Sequence, residues 1–135
     1  MTKLISYLTF DGNCREAMEF YQHCLGGHLE IQTIGESPLA DRLPDSMKRC
    51  ILHATLEKGS LQLMATDLVG DAGFRRGNSI SLLLDCSDEM ELTDYYDRLA
   101  EGGQRTHPIA QTFWGALFGE VTDRFGTHWL LHLDQ

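Results

Sequence analysis

The sequence predicts an α+β fold built from two fused βαβββ modules whose strands form a curved mixed sheet shaped like a cup. An internal repeat, a one-sided helix at the same place in each copy, and strand-like runs on both sides of each helix lead to this reading. The stretches "NCREAMEFYQHCLGG" from Asn13 and "DEMELTDYYDRLAEGG" from Asp88 both open on a capping-box pattern, carry paired aromatics and close on Gly-Gly. The offset between copies is 75 residues at the caps and aromatics and 76 at the glycines.

In module one, about residues 1–70, "LISYLTF" is the opening strand. Apolar residues at 14, 17, 18, 21, 24 and 25 then give the helix one buried face, with Asn13 and Glu16 as its capping box. "HLEIQT", "RCILHATLE" and "LQLMAT" supply three more strands, interrupted by the loop "GESPLADRLPDSMKR" with its two prolines. "VGDAGFRRGN" joins the copies. Module two, about residues 76–135, repeats the scheme with "SISLLLDC", a helix with apolar residues at 92, 95, 96 and 99, and the strands "TFWGALFGEVT" and "THWLLHL". Together they make a single domain, residues 1–135.

A sheet with a helix on one face leaves the other face open, and strand alternation assigns side chains to the two. Ile80, Leu82 and Leu84, Leu61, Leu63 and Ala65, and Trp129, Leu131 and Leu133 are assigned to the helix side. Ser79, Ser81 and Leu83, Gln62, Met64 and Thr66, and His128, Leu130 and His132 are assigned to the open side. His53 is placed opposite Leu52 and Ala54, also on the open side.

Charge narrows the partners. Eleven basic against 20 acidic residues give a formal charge of −9, which opposes nucleic acid and anionic membrane surfaces. No apolar run has the length of a membrane span, and the N-terminal stretch lacks the apolar core and cleavage site of a secretory signal. Four cysteines without metal-site spacing fit reduced thiols buried in the core of a cytoplasmic protein. Cys14 and Cys24 would stand about 15 Å apart along one helix, too far for a disulfide.

The doubled pattern, the opening "YLTFDGNCREAMEFYQHCLGG" and above all "QTFWGALFGEVTDRFGTHWLLHL" closely resemble the PhnB-like branch of the vicinal oxygen chelate superfamily. That superfamily also holds glyoxalase I, extradiol dioxygenases, and the fosfomycin- and bleomycin-resistance proteins. Two positions depart from the branch: Arg124 stands where proline is frequent and Thr127 where histidine is frequent. The resemblance implies a homodimer. It also implies that the metal-dependent members' ligand positions fall at Ser6, Met64, Ser79 and Leu130, with Gln62 one strand step from Met64. None of those four is a usual ligand, so no metal is expected.

Among the histidines, His128 and His132 share a face but stand about 13 Å apart, beyond the span of one ion. His23, His28 and His107 are placed at a helix end and in a loop, which leaves His53 and His132 as candidates. The resemblance places Glu120, three residues before Asp123, on the open wall beside Phe118, where a carboxylate walled by Trp114 and Phe118 suits a general base or a cation site. Ser6, Ser79 and Ser81 add hydroxyls. No serine-histidine-acid order can be assigned, and no cofactor motif supports methyl transfer.

Two functions follow. The first is binding of an unidentified small organic molecule, without metal or cofactor, in an aromatic-walled cup lined by Ser6, Gln62, Met64, Ser79, Ser81, Trp114, Phe118, Glu120, Leu130 and His132. The mixed lining and the negative charge favour a neutral or cationic flat ligand over an anion. The alternative is an enzyme of the superfamily's lyase, isomerase, dioxygenase or transferase type that uses Glu120, His132 or His53 as acid or base.

Overall fold

The computed structural model describes residues 1–135 and divides into two compact units, Met1–Arg75 and Arg76–Gln135. In module one the order is β1 (Ser6–Thr9), α1 (Cys14–Leu25), β2 (His28–Thr33), β3 (Ile51–Lys58) and β4 (Leu61–Thr66). The strands lie side by side as β1-β4-β3-β2, with β1 parallel to β4 and the other pairs antiparallel. Module two has the same order and topology in β5 (Leu82–Asp85), α2 (Glu89–Ala100), β6 (Gln104–Gln111), β7 (Leu117–Thr122) and β8 (His128–Leu133), arranged β5-β8-β7-β6. No helix is long and apolar enough to cross a membrane.

Each helix buries one face against its own sheet. Ala17, Met18, Tyr21, Cys24 and Leu25 of α1 are buried with Ala54, Leu56, Leu63 and Ala65 of β3 and β4. Leu92, Tyr96 and Leu99 of α2 are buried with Val121, Trp129, Leu131 and Leu133. The strand alternation proposed for β4 and β8 is therefore the one observed.

The helix starts differ from the capping pattern in the sequence. Asp88 does cap α2, accepting from the Glu91 N–H at 2.8 Å, while Glu91 reaches back to the Ser87 N–H at 3.1 Å. Asn13 makes no side-chain cap at α1. A remote carboxylate serves instead: Asp67, just after β4, accepts from the Gly12 and Cys14 N–H groups through Oδ1 at 3.0 Å each. Its Oδ2 accepts from the Ile51 N–H at 2.8 Å, so one buried anion satisfies the helix N-terminus and the start of β3.

Several face and element assignments change. Ser6 pairs with Leu63 and so lies on the helix side of its sheet, while Tyr7, paired with Met64, takes the open position. Laterally paired residues of parallel strands share a face, so the position that the resemblance implies at Ser6 is taken on the open side by Tyr7. A register shift between Gln32 and Thr33 puts Ile51 rather than Leu52 on the helix side, with His53 still opposite Ala54. β5 begins only at Leu82, so Ser79 and Ser81 precede it and Ile80 is 76% exposed instead of covered by α2. Cys14, Cys24 and Cys86 are buried as expected, but Cys50 is half-buried. His107 and Pro108, assigned to a loop, belong to β6, an edge strand whose pairing with β7 is broken by two register shifts. Proline is tolerated at such a place because an edge strand has N–H groups with no ladder partner.

Candidate functional site

The "FWGALFGEVTDRFGTHW" segment folds into two successive turns, and only its strands carry open-face chemistry. Thr112 closes the first turn: its hydroxyl accepts from the Ala116 N–H at 3.1 Å and its N–H donates to the Ala116 carbonyl at 2.7 Å. Phe113 and Trp114 project from this turn as an edge-to-face pair 4.8 Å apart, 97% and 59% exposed. Trp114 is thus a turn residue rather than part of a strand wall.

The second turn, between β7 and β8, is organised by Asp123, which is 3% exposed. Its Oδ1 accepts from the Phe125 and Thr127 N–H groups at 2.8 and 3.1 Å, and its Oδ2 accepts from the Trp129 indole N–H at 2.8 Å. Gly126 supplies the positive φ of 86° that the turn requires. This clamp fixes the hairpin register, pairing Thr122 with His128, Glu120 with Leu130 and Phe118 with His132 on the open face. The aspartate and tryptophan of the motif are structural.

That register opens a groove of about 250 Å³ on module two. Glu120 forms one wall, Ser81, Thr106 and Thr122 bring hydroxyls to it, and Leu130 gives an apolar surface. Asn78 and His128 complete the rim. His128 is held on both sides, Nδ1 against the Thr122 hydroxyl at 3.0 Å and Nε2 against the Gly77 carbonyl at 3.2 Å.

Glu120 has a partner that sequence reasoning missed. Its Oε2 lies 2.7 Å from His107 Nδ1, with the carboxylate side chain 33% exposed and the imidazole 71% exposed. Gly119 of β7 and Tyr96 of α2 position that histidine. Gly119 has no side chain to hold α2 away, since a Cβ there would stand 2.9 Å from the Tyr96 ring. Tyr96 therefore lies flat on β7 and donates its hydroxyl to the His107 carbonyl at 2.7 Å. Burial raises the phenol's pKa above its ordinary value, which keeps it a donor. The repeat contained the missing signal: β2 begins at His28, and the 76-residue offset places a strand at Gln104, through His107.

The remaining candidates divide between the sheets. On module one, His53 lies 6.4 Å from the Tyr7 ring and 3.1 Å from the Thr55 hydroxyl, beside Met64, while Gln62 donates to Glu57 at 3.0 Å. On module two, Phe118 and His132 are paired neighbours further along the face from Glu120, and Ser79 is exposed ahead of β5. His132 stands between two carboxylates, Nδ1 to Asp85 at 3.0 Å and Nε2 to Asp134 at 3.4 Å.

The strand positions that the resemblance implies for metal ligands change with the register, since Tyr7 takes the open place of Ser6 and Ser79 precedes β5. In the Asp85, His132 and Asp134 group the two carboxylates meet opposite nitrogens of one ring, so an ion bound by that imidazole must displace one of the pairs.

Comparison with known proteins gives the same architecture and a family. Residues 2–132 match the family described as 3-demethylubiquinone-9 3-methyltransferase. Protein YjdN of Escherichia coli (strain K12) is 32% identical over 96% of this chain and 94% of its own length. The crystal structure of PA1353 from Pseudomonas aeruginosa is 38% identical and superposes with a TM-score of 0.88 over 100% of this chain and 99% of that one. A PhnB protein from Bacillus cereus, titled a putative 3-demethylubiquinone-9 3-methyltransferase, is 25% identical with a TM-score of 0.72 over 98% and 99% of the two chains. Matched over nearly its whole length in sequence and in fold, the chain belongs to this PhnB-like family, the one described as 3-demethylubiquinone-9 3-methyltransferase.

Proposed function

We propose that the protein binds a small organic molecule in the module-two groove and does so without a resident metal. The observation that carries this reading is Glu120, a half-buried carboxylate on the wall of a groove that also presents three hydroxyls and the apolar Leu130. The polar groups converge beside one apolar side chain, and a groove of about 250 Å³ suits a compact, polar ligand. The family description names a methyltransferase, but the sequence holds no cofactor motif for methyl transfer, so that activity is not carried over.

A fragment screen by ligand-observed NMR tests the reading, with Ser81→Phe as control because the exposed Ser81 can accept a ring that fills the groove. Fragments that bind the native protein and are lost in the variant, at unchanged melting temperature, support it. Hits that bind both proteins equally overturn it.

A second reading is favoured by the 2.7 Å Glu120–His107 contact, since a carboxylate-oriented imidazole is a common proton-transfer unit. Under it, the bound molecule is converted and Glu120→Gln stops conversion while leaving binding. We also propose a homodimer, because Leu4, Tyr7, Ile80 and Leu83, on or beside the sheet-edge strands β1 and β5, are all more than half exposed in the chain. Light scattering giving 15.2 kDa at micromolar concentration would count against it.

A further inference from the structure

We infer that Glu120 is the recognition group for a planar diamino cation, an amidinium or guanidinium, and that His107 is the internal hydrogen-bond partner such a ligand displaces. The inference rests on the groove reading above and names the ligand class it would serve. His107 engages only Oε2 of Glu120, through one ring nitrogen, and its imidazole is mostly in solvent. An amidinium presents two parallel N–H donors that match both carboxylate oxygens at once, a geometry an imidazole cannot offer. The incoming group therefore gains a second charge-assisted hydrogen bond, while the departing imidazole returns to water at small cost because it was never buried.

The surroundings select for the same class. Leu130 is paired with Glu120 across β7 and β8 and gives an aryl or alkyl body an apolar surface next to the carboxylate. No lysine or arginine lines the groove. Residues 76–135 hold four arginines against ten aspartates and glutamates, six of the chain's nine net negative charges, so the field around the groove repels anions. His107 is held by its backbone, through the Tyr96 hydroxyl on its carbonyl, so its side chain can leave Glu120 without disturbing β6.

The test uses three near-isosteric probes, benzamidine as cation, benzamide as neutral and benzoate as anion, titrated against the native protein, Glu120→Gln and His107→Gln. Benzamidine should bind about fivefold more tightly than benzamide, the upper end for a partly exposed charge pair, with benzoate weakest. Glu120→Gln should abolish the benzamidine advantage and leave benzamide binding in place. His107→Gln, which removes the competing imidazole, should tighten benzamidine about twofold and leave benzamide unchanged. If all three probes bind equally, or benzoate binds best, the cation inference falls while the groove reading stands. If none binds and the fragment screen is also empty, the groove reading falls and takes the inference with it. An unchanged benzamidine affinity in His107→Gln would overturn the competing role of His107 alone.

Discussion

The two modules repeat one scaffold but differ in what their two sheet faces do. On the helix side they solve the same problem with a buried aspartate that accepts three hydrogen bonds. Asp67 takes three backbone N–H groups and ties the start of α1 to β3. Asp123 takes two backbone N–H groups and the Trp129 indole, and so ties a turn to the largest core side chain of its module. On the open side the modules diverge. Module one presents Tyr7, His53, Thr55 and Met64, whereas module two pairs Glu120 with His107 and Asp85 with His132. The two aspartates stand at different places in the repeat, Asp67 after the fourth strand of its module and Asp123 after the third, and the carboxylate–imidazole pairs lie on the open face of module two. Changes at alternate residues of β5 to β8 are enough to create that difference, because those residues never meet the core.

The aspartates give the largest test of that comparison. Asp123→Ala strands a buried indole donor and two N–H groups, and should cost about 3 kcal/mol or more. Asp67→Ala strands three backbone donors but no core side chain, and should cost about 2 kcal/mol. Urea titrations of both variants measure the gap. An Asp67 variant less stable than the Asp123 one would show that the helix junction, not the indole, is the more demanding load.

The fold was legible because its evidence is periodic: the 75- to 76-residue repeat and the one-sided helices survive any single misjudged residue. Sites depend on register, and register is where the sequence misled. Ser6 and Tyr7 differ by one step that only the pairing of β1 with β4 decides. Leu52 and Ile51 exchange roles through a bulge with no composition signal. Trp114 was hidden for the opposite reason, since "TFWGA" has strand-like composition and turns because Gly115, with φ of 93°, lets it. Glu120 was reached through the family resemblance, which places its parity on the open wall beside Phe118. Its partner was not, because a histidine before a proline suggests a loop and the bulged edge strand that accommodates it is a tertiary feature.

Glycines in the two modules' hairpins should sharpen the contrast between packing and backbone limits. A Cβ at Gly119 meets Tyr96 at 2.9 Å and Ile109 at 3.0 Å, so Gly119→Ala overpacks the α2 interface and should cost about 2 kcal/mol. It should also push Tyr96 away from the His107 carbonyl, visible as faster amide exchange in β6. At Gly59 of module one a Cβ meets nothing within 4 Å, and only the φ of 57° resists it. Gly59→Ala should therefore cost about 1 kcal/mol without altering exchange elsewhere. Equal costs would mean that α2 can shift on its sheet, and that Gly119 does not set the position of His107.

The smallest effect separates the thiols of the two cores by pH. Burial pushes Cys14 up to about 12, with Asp67 adding to it, and burial pushes Cys86 up to about 11, with Glu91 adding to it. Unfolding releases both to 9.0, so between those values the folded chain binds more protons than the unfolded one, and stability falls as pH rises. Below pH 9 neither thiol contributes any slope. From pH 9 to 10 the buried Cys14 should remove about 1 kcal/mol, and Cys14→Ala should lack that loss whatever its cavity costs at neutral pH. The module-two contribution should level off near pH 11, where Cys86 ionises without unfolding, while the Cys14 contribution continues toward pH 12. Urea midpoints of the native chain, Cys14→Ala and Cys86→Ala across this range resolve the two windows. Identical windows would mean that the α1 junction under Asp67 is no better shielded from water than the end of β5, and that the two cores are closer in character than their carboxylate clamps suggest.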